Sequence, residues 1–467
     1  MIDVLTEQLR APITEETAEL YVGGTVFKTG PPERVGVELE WLVHDVDRPA
    51  DPIRSERLAE VLAETFDPPL AGVLTTEPGG QLELSSQPAP LAGCIAGAAA
   101  DLDRLRDRTA TAGLTLTGLG LDPRPPVLRT AVPRYLAMDR HFARGGPEGR
   151  TMMCSTASVQ VCLDAGADDA EVADRWHALH AWLPVLTALF ANSPTPGRRC
   201  TRAAVWGAID PTRTSAPVGP DPRSAYGRWA LDAQLLAVRR EAGSWSAPAG
   251  LTFRDWLRGR GPGLPAPTWG DLDYHLTTLF PPVRARGHLE LRAVDAQPGD
   301  GWRIVVALVA ALLDDPAARA VATAAATEAS AALGADAGGW LSPAMQVATR
   351  DAMTDPVLRE AGMTFVATAV GALTRAGQPE LAAAVAAFGE RYPARRRCPA
   401  DDRATGSETG RATGSETGHA TGRATGRATG RATGRATGRA TGRATDRATD
   451  RATDRATDRA TAPEESA

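Results

Sequence analysis

Lysine is nearly absent from this chain of 467 residues: Lys28 is the only one, and all other basic side chains are arginines. No other lysine can therefore hold a nucleotide phosphate, form a Schiff base or accept an adenylate. Lys28 does not belong to a phosphate-binding P-loop, because Phe27 stands where the second glycine of GxxxxGK[ST] is required. The sequence also lacks a GxSxG nucleophile elbow, an HExxH zinc-binding helix and a GxGxxG dinucleotide-binding loop after a strand. Serine hydrolases, zinc proteases and dinucleotide-binding enzymes with their usual motifs are thereby excluded.

Cysteine is scarce as well, and the five cysteines are far apart, with no CxxC pair. This spacing predicts neither a disulfide framework nor a structural zinc site. Two cysteines, Cys154 and Cys162, lie in a strand-like region and have two interpretations. They are nucleophiles, or they pack in the interior or line a pocket, and packing is the interpretation we favour.

Long apolar runs are missing, since the stretch from Ile304 to Leu313 is far shorter than the ~20 residues that span a bilayer. The N-terminus has no basic start followed by an apolar run, so no signal peptide is predicted. We therefore expect a cytoplasmic protein with no membrane partner. The composition is that of a globular protein, with 43% hydrophobic residues and a net charge of −6, and it points to no specific nucleic acid.

A change of composition predicts two parts, a folded body over residues 1–400 and a low-complexity tail over 401–467. The tail repeats RATG and then RATD, without large apolar side chains that could repay the entropy of ordering it, so we predict disorder. From Arg403 onward it carries 12 arginines and 8 acidic residues. Weak attraction to polyanions is one interpretation of this charge, and a passive extension, which we favour, is the other. Deleting residues 403–467 is then expected to leave the kinetics unchanged.

The body mixes helices with strands that lie far apart in sequence, which favours an α+β fold over a regular βαβ alternation. Helical periodicity predicts helices over residues 14–22, 54–65, 91–112, 172–190, 226–242 and 252–259, and a helical C-terminal layer over 301–388.

Four segments, residues 35–41, 80–85, 158–164 and 288–292, alternate between aliphatic and polar side chains. Alternation in a strand sends neighbours to opposite faces, so each segment has one polar face. The polar side chains are mainly Glu, Gln, His and Arg: Glu38, Glu40, Gln81, Glu83, Ser85, Ser158, Gln160, Cys162, Asp164, His288, Glu290 and Arg292. One interpretation is an antiparallel sheet with a solvated face. The other is a platform for Mg²⁺ and ATP, because crowded carboxylates repel one another unless a hard cation binds them.

Seven sequence blocks together resemble the glutamate–cysteine ligase family, in the branch of the plant enzymes and of the actinobacterial enzyme of ergothioneine synthesis. They are VGVELEW (35–41), TTEPGGQLELSSQP (75–88), RYLAMDRHF (134–142), GRTMMCSTASVQVCLD (149–164), ANSP (191–194), IDPTRT (209–214) and HLTTLFPPVRARGHLELRAVD (275–295). The resemblance covers roughly residues 15–395 and excludes the repeat tail. The GGQLELSS and GHLELRAVD blocks are its most specific parts.

The resemblance implies a glutamine-synthetase-like fold, a curved antiparallel sheet forming a funnel with helices outside. It implies a reaction in which ATP phosphorylates the γ-carboxylate of L-glutamate and the amine of L-cysteine attacks the acyl phosphate, giving γ-glutamylcysteine. The implied metal ligands are Glu38, Glu40, Glu77, Glu83 and Glu290. Arg292, with Glu83, is the implied catalytic group, and Gln160, Arg150 and Arg213 are candidates for nucleotide, phosphate or substrate binding.

Two other functions stay open at this point. A related carboxylate–amine ligase with another acceptor amine would share the platform and differ only in its pocket. An inactive relative kept as a scaffold would have no reason to keep unpaired carboxylates together. The sequence gives no oligomeric state.

Overall fold

The computed structural model describes residues 13–63, 65–334 and 339–404, and its centre is a sheet of seven strands. The strands are β1 (Val35–Asp45), β2 (Val73–Thr76), β3 (Leu82–Ser85), β4 (Leu114–Thr117), β5 (Ser158–Leu163), β6 (Val283–Ala285) and β7 (Leu289–Asp295). Their order is β2-β3-β1-β5-β7-β6, all neighbours are antiparallel, and β4 pairs with the second half of β1. The sheet is open rather than closed, with the short strands β2 and β6 at its edges.

Helices make up most of the remaining chain. They are α1 (Glu15–Val26), α2 (Ser55–Ala63), α3 (Leu91–Thr111), α4 (Pro133–Phe142), α5 (Glu148–Ser155), α6 (Asp169–Leu189), α7 (Thr201–Ala208), α8 (Pro211–Thr214), α9 (Pro222–Asp232), α10 (Phe253–Leu257), α11 (Trp269–Leu276), α12 (Trp302–Asp314), α13 (Pro316–Ala332), α14 (Pro343–Arg350), α15 (Pro356–Arg375), α16 (Pro379–Arg391) and α17 (Ala400–Ala404). No helix in the described part of the chain is long and apolar enough to cross a membrane.

Local sequence signals explain several helix ends. Thr14 caps α1, and its side chain and that of Thr17 satisfy each other's backbone N–H groups in a capping box. In the C-terminal layer, Asp315 and Asp355 cap α13 and α15, each followed by a proline that is well suited to the first helical position. The predicted layer over residues 301–388 is thereby confirmed as a series of helices.

The aliphatic face of the sheet packs on helices α3, α6 and α12 to form the main core. Helix α12 is buried along nearly its whole length, and α6 is buried from Trp176 to Leu189 except at His177. An apolar face covered by helices leaves the opposite, polar face of the strands as the place for chemistry. The α+β prediction with an antiparallel sheet and outer helices is confirmed.

The predicted helix over residues 226–242 is wrong beyond Asp232. From Gln234 the chain runs extended, with bridges from Gln234 to Thr252 and from Ala237 to Ser246. All apolar side chains between Ala233 and Val238 are buried, and this packing overrides helical spacing. Strands β2, β4 and β6 were not predicted, because three or four residues are too few to show a period.

Two aspartates bind the end of the described body to residues that precede it in the chain. Asp401 accepts a hydrogen bond from Arg199 at 2.9 Å, and Asp402 accepts from Arg391 and Tyr392 at 2.7 and 2.8 Å. These contacts join residues just beyond position 400 to the body. The division into residues 1–400 and 401–467 stays a prediction, and the disorder predicted for the tail concerns residues that lie largely outside the described ones.

A pair of truncations tests where the body ends. A chain of residues 1–404 is expected to keep the melting temperature and kinetics of the full chain. A chain of residues 1–397 loses Cys398, Asp401 and Asp402, and we expect a loss of roughly 2–5 kcal/mol of stability from the broken ion pairs and exposed core. Thermal melts of the three proteins measure this, and an equally stable 1–397 chain would contradict it.

Candidate active site

Cross-strand pairing brings the predicted polar side chains onto one face of the sheet. On β1, Glu38 lies opposite Gln160 of β5, and Glu40 lies opposite Glu83 of β3. On β5, Cys162 lies opposite Glu290 of β7. Residues directly opposite each other in an antiparallel pair share a face, so these strands form one surface. We call this surface the acidic face.

A β-bulge changes which residues of β7 reach the acidic face. Val161 pairs with Leu291, but two residues away Val159 pairs with Val294, so β7 contains one extra residue here. The extra residue reverses the alternation, and Asp295 rather than Val294 comes to lie opposite Ser158. The face therefore carries Glu290 and Arg292 before the bulge and Asp295 after it.

Glu290 is fully buried between two arginines. Arg284, opposite it on β6, donates from Nε and Nη2 at 3.0 and 2.8 Å, and Arg292 donates from Nη1. Arg292 also donates to the Oε1 of Gln160, whose amide nitrogen donates to Glu40 at 2.8 Å. Glu290 has its pKa well below the ordinary value, because the attraction of the arginines outweighs its burial. Its carboxylate is thus engaged with cations that the protein itself provides.

For three other carboxylates of the acidic face, burial and mutual repulsion outweigh the attraction of the arginines. Burial and then repulsion from Glu290 raise the pKa of Glu38 to about 7. Burial and the charge of Glu40 raise the pKa of Glu77 to about 7, and burial with repulsion from Glu38 raises the pKa of Glu83 well above its usual value. Oxygen donors that repel one another in the absence of a cation suit a hard divalent ion.

The carboxylates do not converge into a finished ligand set. Among the described residues, no three His, Cys, Asp or Glu side chains are grouped closely enough to hold a metal ion as they stand. Glu77 joins the face from the β2–β3 turn, where its N–H donates to Gln81 and Gly80 has a φ of +90°. The donor chemistry fits Mg²⁺, and the ligand assignment stays a prediction.

Arg202, at the start of α7, was not predicted. It is buried, and its Nη2 donates to the carbonyl oxygen of Arg292 at 3.0 Å. Its Nε and Nη1 are also buried, and neither has an acceptor within the described ranges. The guanidinium carbons of Arg202 and Arg292 lie 5.6 and 5.5 Å from the ring centre of Trp206. A buried cation with open donors is costly unless an anion binds it, so this is a candidate anion site.

The position of Arg284 could have been inferred from the sequence, whereas that of Arg202 could not. VRARGHLELR is a hairpin whose turn contains Gly287 with a φ of +76°, and a turn there places Arg284 opposite Glu290. Arg202 comes from a helix outside the sheet, and its block, RRCTRAAVW, contains several equivalent arginines. Only packing selects one of them.

The structure does not bring two predicted residues to the acidic face. Arg150 is exposed and donates to Asp139 from Nε at 2.8 Å. Arg213 is buried, but its guanidinium donates to Asp210 and to the carbonyl oxygens of Thr278 and Gln234. Both arginines are engaged by protein acceptors, so we do not carry them into the proposed mechanism.

The two cysteines, Cys154 and Cys162, and His275 have no reactive environment. Burial raises the pKa of Cys154 to about 12 and that of Cys162 well above its usual value, which keeps both as thiols. His275 donates to the carbonyl oxygen of Ala230 at 2.8 Å, and burial lowers its pKa to about 3. The packing interpretation of the cysteines is the one that this geometry supports.

The raised carboxyl pKa values predict a pH-dependent stability. Because the folded protein holds protons on Glu38, Glu77 and Glu83 more tightly than the unfolded chain does, stability is highest near the unfolded pKa and falls as pH rises through about 7. We expect a decrease of several kcal/mol, on the order of 2–4, between about pH 5.5 and 8.5 without divalent cations. Excess MgCl₂ should flatten the curve. Thermal melts measure both, and a flat or rising curve without the cation would contradict the prediction.

Fold and site together define a class: a carboxylate–amine ligase built on an open antiparallel sheet, with carboxylates and arginines on one face and no P-loop. The model of glutamate–cysteine ligase family 2 matches residues 34–413. The chain belongs to this family, and the family predicted from the sequence blocks is confirmed.

Several relatives share much of the chain. Glutamate–cysteine ligase EgtA of Mycolicibacterium smegmatis is 38% identical over 407 residues, covering 83% of this chain and 90% of the relative. EgtA of Mycobacterium tuberculosis H37Rv is 40% identical over 326 residues, or 66% and 74% of the two chains. The chloroplastic glutamate–cysteine ligase of Medicago truncatula is 32% identical over 330 residues, or 64% of each chain.

A likeness in structure agrees with the family. The crystal structure of glutamate–cysteine ligase (gshA) from Francisella tularensis in complex with AMP superposes with a TM-score of 0.50 and 12% identity. The match covers 82% of this chain and 86% of that chain. At this identity the likeness shows the fold alone.

Proposed function

We propose that this protein joins the γ-carboxylate of L-glutamate to the amine of L-cysteine and converts ATP to ADP and phosphate. The observation that carries the proposal is the acidic face itself, with half-buried carboxylates of raised pKa on the same face as Arg292, in a member of the glutamate–cysteine ligase family. The resemblance to the actinobacterial enzyme further supports a role of the product, γ-glutamylcysteine, in ergothioneine synthesis.

The carboxylates of Glu38, Glu40, Glu77 and Glu83 would hold Mg²⁺, and Glu290 would share this role only through oxygens that already accept from arginines. When bound, the ion supplies positive charge that neutralises the nucleotide phosphates. The protein's own contribution is position: Glu38 and Glu40 lie two residues apart on one strand, and Glu83 lies opposite Glu40. Side chains on a paired sheet have little freedom to move, which suits a reaction that depends on alignment.

The proposed reaction forms one P–O and one C–N bond, breaks one P–O and one C–O bond, and transfers one proton. The γ-phosphoryl group leaves ADP and joins a γ-carboxylate oxygen of glutamate. The cysteine nitrogen then attacks the γ-carbonyl carbon of this acyl phosphate. The C–O bond breaks, phosphate departs with its electrons, and the nitrogen loses a proton to a carboxylate of the acidic face. Arg292 donates hydrogen bonds to the negatively charged oxygens of the transferring phosphoryl group. Gln160 fixes the orientation of Arg292 by accepting a hydrogen bond from it.

Arg202 would bind an anionic group of a substrate. Its Nε and Nη1 are open donors, and its Nη2 is fixed on the backbone of β7. Glu40 is the largest attractive charge on Arg202, which places the guanidinium beside the acidic face. A carboxylate or phosphate oxygen at the two free nitrogens would satisfy the desolvated cation.

The test is ADP release by the purified protein with Mg²⁺, ATP and L-glutamate, with and without L-cysteine, followed by mass detection of the product. Cysteine-dependent ADP together with γ-glutamylcysteine is the expected result. ADP release that responds to a different amine would keep the platform and change the substrate. No turnover with any amine would defeat the enzyme proposal and favour an inactive scaffold.

A further inference from the structure

Asp295, the last residue of β7, is a buried carboxylate to which the proposed reaction assigns no role. Its Oδ2 accepts from the N–H of Asn192 at 2.8 Å and from the hydroxyl of Ser193 at 2.7 Å. Its Oδ1 accepts from the thiol of Cys200 at 3.4 Å. All three donors are neutral. Burial of a carboxylate is costly when its hydrogen bonds come from neutral groups, so the charge of Asp295 needs a positive group nearby.

A chain of hydrogen bonds joins this carboxylate to Arg202. The Ser193 hydroxyl that donates to Asp295 also accepts from the backbone N–H of Arg202 at 3.0 Å. The carbonyl oxygen of Ser193 accepts from the N–H of Thr201 at 3.0 Å. The first turn of α7 is therefore held on the ANSP segment, and that segment is held on Asp295.

The guanidinium of Arg202 is fixed at its other end as well. Nη2 donates to the carbonyl oxygen of Arg292, three residues before Asp295 on β7, and the group lies beside the ring of Trp206. Arg202 is also the charge that most favours the ionised form of Asp295 against burial. The backbone N–H, Nη2 and the ring contact thus fix the side chain of Arg202 at three points, which leaves Nε and Nη1 as the donors without an acceptor among the described residues.

The site leaves no room for Asp295 to move. A Cβ atom added at Gly120 would lie 2.5 Å from the carboxyl carbon of Asp295, and the N–H of Gly120 donates to the carbonyl oxygen of Asn192 at 3.0 Å. Close backbone approach of this kind requires glycine. The β-bulge of β7 is what brings Asp295, rather than its neighbour, into this space.

We propose that Asp295 is a positioning residue for the substrate-anion site at Arg202: through the Ser193 hydroxyl it sets the place of the first turn of α7, from which the Arg202 guanidinium reaches β7. The proposal rests on the proposed function, in which Arg202 binds a substrate anion. Asp295 itself has no contact with substrate in this scheme.

The first experiment compares Asp295→Asn and Ser193→Ala with a matched control, Asp101→Asn. Asp101 is a buried carboxylate that likewise accepts from backbone N–H groups, those of Ala71 and Gly72, at 3.1 and 2.7 Å. We expect each test variant to raise the Michaelis constant for one of the three substrates about tenfold and to leave the other two nearly unchanged. The control should lower the melting temperature without changing any Michaelis constant.

A purely structural role gives a different pattern, namely a lower kcat from fewer active molecules with all three Michaelis constants unchanged, and that outcome would overturn the proposal. If Asp295→Asn does not fold, Ser193→Ala carries the same test. A double variant, Arg202→Lys with Asp295→Asn, adds a second criterion. Residues that act through one another are not additive, so the double variant should be no worse than Arg202→Lys alone, whereas additive losses would contradict the proposal.

Binding separates this proposal from the proposed reaction. Calorimetry of L-glutamate and of MgADP with wild-type protein, Asp295→Asn and Arg202→Lys needs no turnover. If the wild-type protein forms no γ-glutamylcysteine, the proposed reaction is wrong. The Asp295 proposal then depends on the affinities: a loss of about tenfold for the same ligand in both variants supports it. Unchanged affinity in Asp295→Asn, or no binding of either ligand to the wild type, overturns it.

Discussion

Replacing Glu83 by glutamine is expected to lower kcat by roughly 10²–10³-fold while leaving the fold intact. Glu83 lies opposite Glu40, accepts from Thr75 at 3.3 Å, and is repelled by the other carboxylates of the acidic face. Burial and repulsion from the neighbouring carboxylates raise the pKa of Glu83 and so oppose its ionised form, and a neutral amide of the same shape should therefore cost no stability. The melting temperature of Glu83→Gln should therefore equal or exceed that of the wild type.

The matched control is Glu60→Gln, on the exposed surface of α2. It makes the same substitution away from the acidic face and should change neither kcat nor stability. Steady-state ADP release and thermal melts of the three proteins make the comparison. Full activity in Glu83→Gln would show that its carboxylate takes no part in the reaction, and unfolding of that variant would contradict the expectation that the amide relieves repulsion at this position.

Replacing Arg292 by lysine is expected to lower kcat by about 10²–10⁴-fold, although the positive charge is retained. The guanidinium donates from one nitrogen, Nη1, to both Gln160 and Glu290. A lysine would use two of its three N–H groups for these bonds and would lack the fixed Nε and Nη2 donors that we propose for the transferring phosphoryl group. Glu290 keeps its two hydrogen-bonding contacts from Arg284, so the interior stays paired and the protein should fold. The loss should therefore appear in turnover rather than in stability.

Arg350→Lys is the control for this change, because Arg350 is exposed and pairs only with its neighbour Asp351 among the ion pairs of the described chain. Single-turnover formation of ADP, with and without L-cysteine, measures the phosphoryl step directly. A wild-type rate in Arg292→Lys would mean that charge alone is sufficient at this position.

The sheet was largely predictable, because four strands show a period of two and pair in the way that brings Glu38, Glu40, Glu83 and Glu290 to one surface. A period of two determines on which face of the sheet each side chain lies. Because helices bury the apolar face, the polar face is the one that carries the site. The order of the strands had no such signal, since partners of β1 lie far apart in sequence and nothing local selects them.

The parts of the site that could not be predicted depend on departures from regular geometry. Alternation along β7 places Val294, not Asp295, with Glu290 and Arg292, and only the bulge reverses this. Arg202 reaches the site from a helix, where its identity depends on packing against Trp206. The predictions for Arg150 and Arg213 were based on residue type and on membership of a motif. Neither property shows whether the guanidinium already donates its hydrogen bonds to a neighbouring carboxylate or carbonyl oxygen.

The order in which the strands of the acidic face leave the ribosome has a consequence for assembly. Strands β1 and β3 carry carboxylates and are synthesised first, whereas β6 and β7, which carry Arg284 and Arg292, come much later. Pairings this distant in sequence form slowly, because the loop between them must first lose its entropy. A nascent chain that ends before β6 therefore carries the carboxylates of β1 and β3 without the arginines of β6 and β7. We expect such a chain to stay sensitive to protease until β7 is complete and its arginines balance the charge.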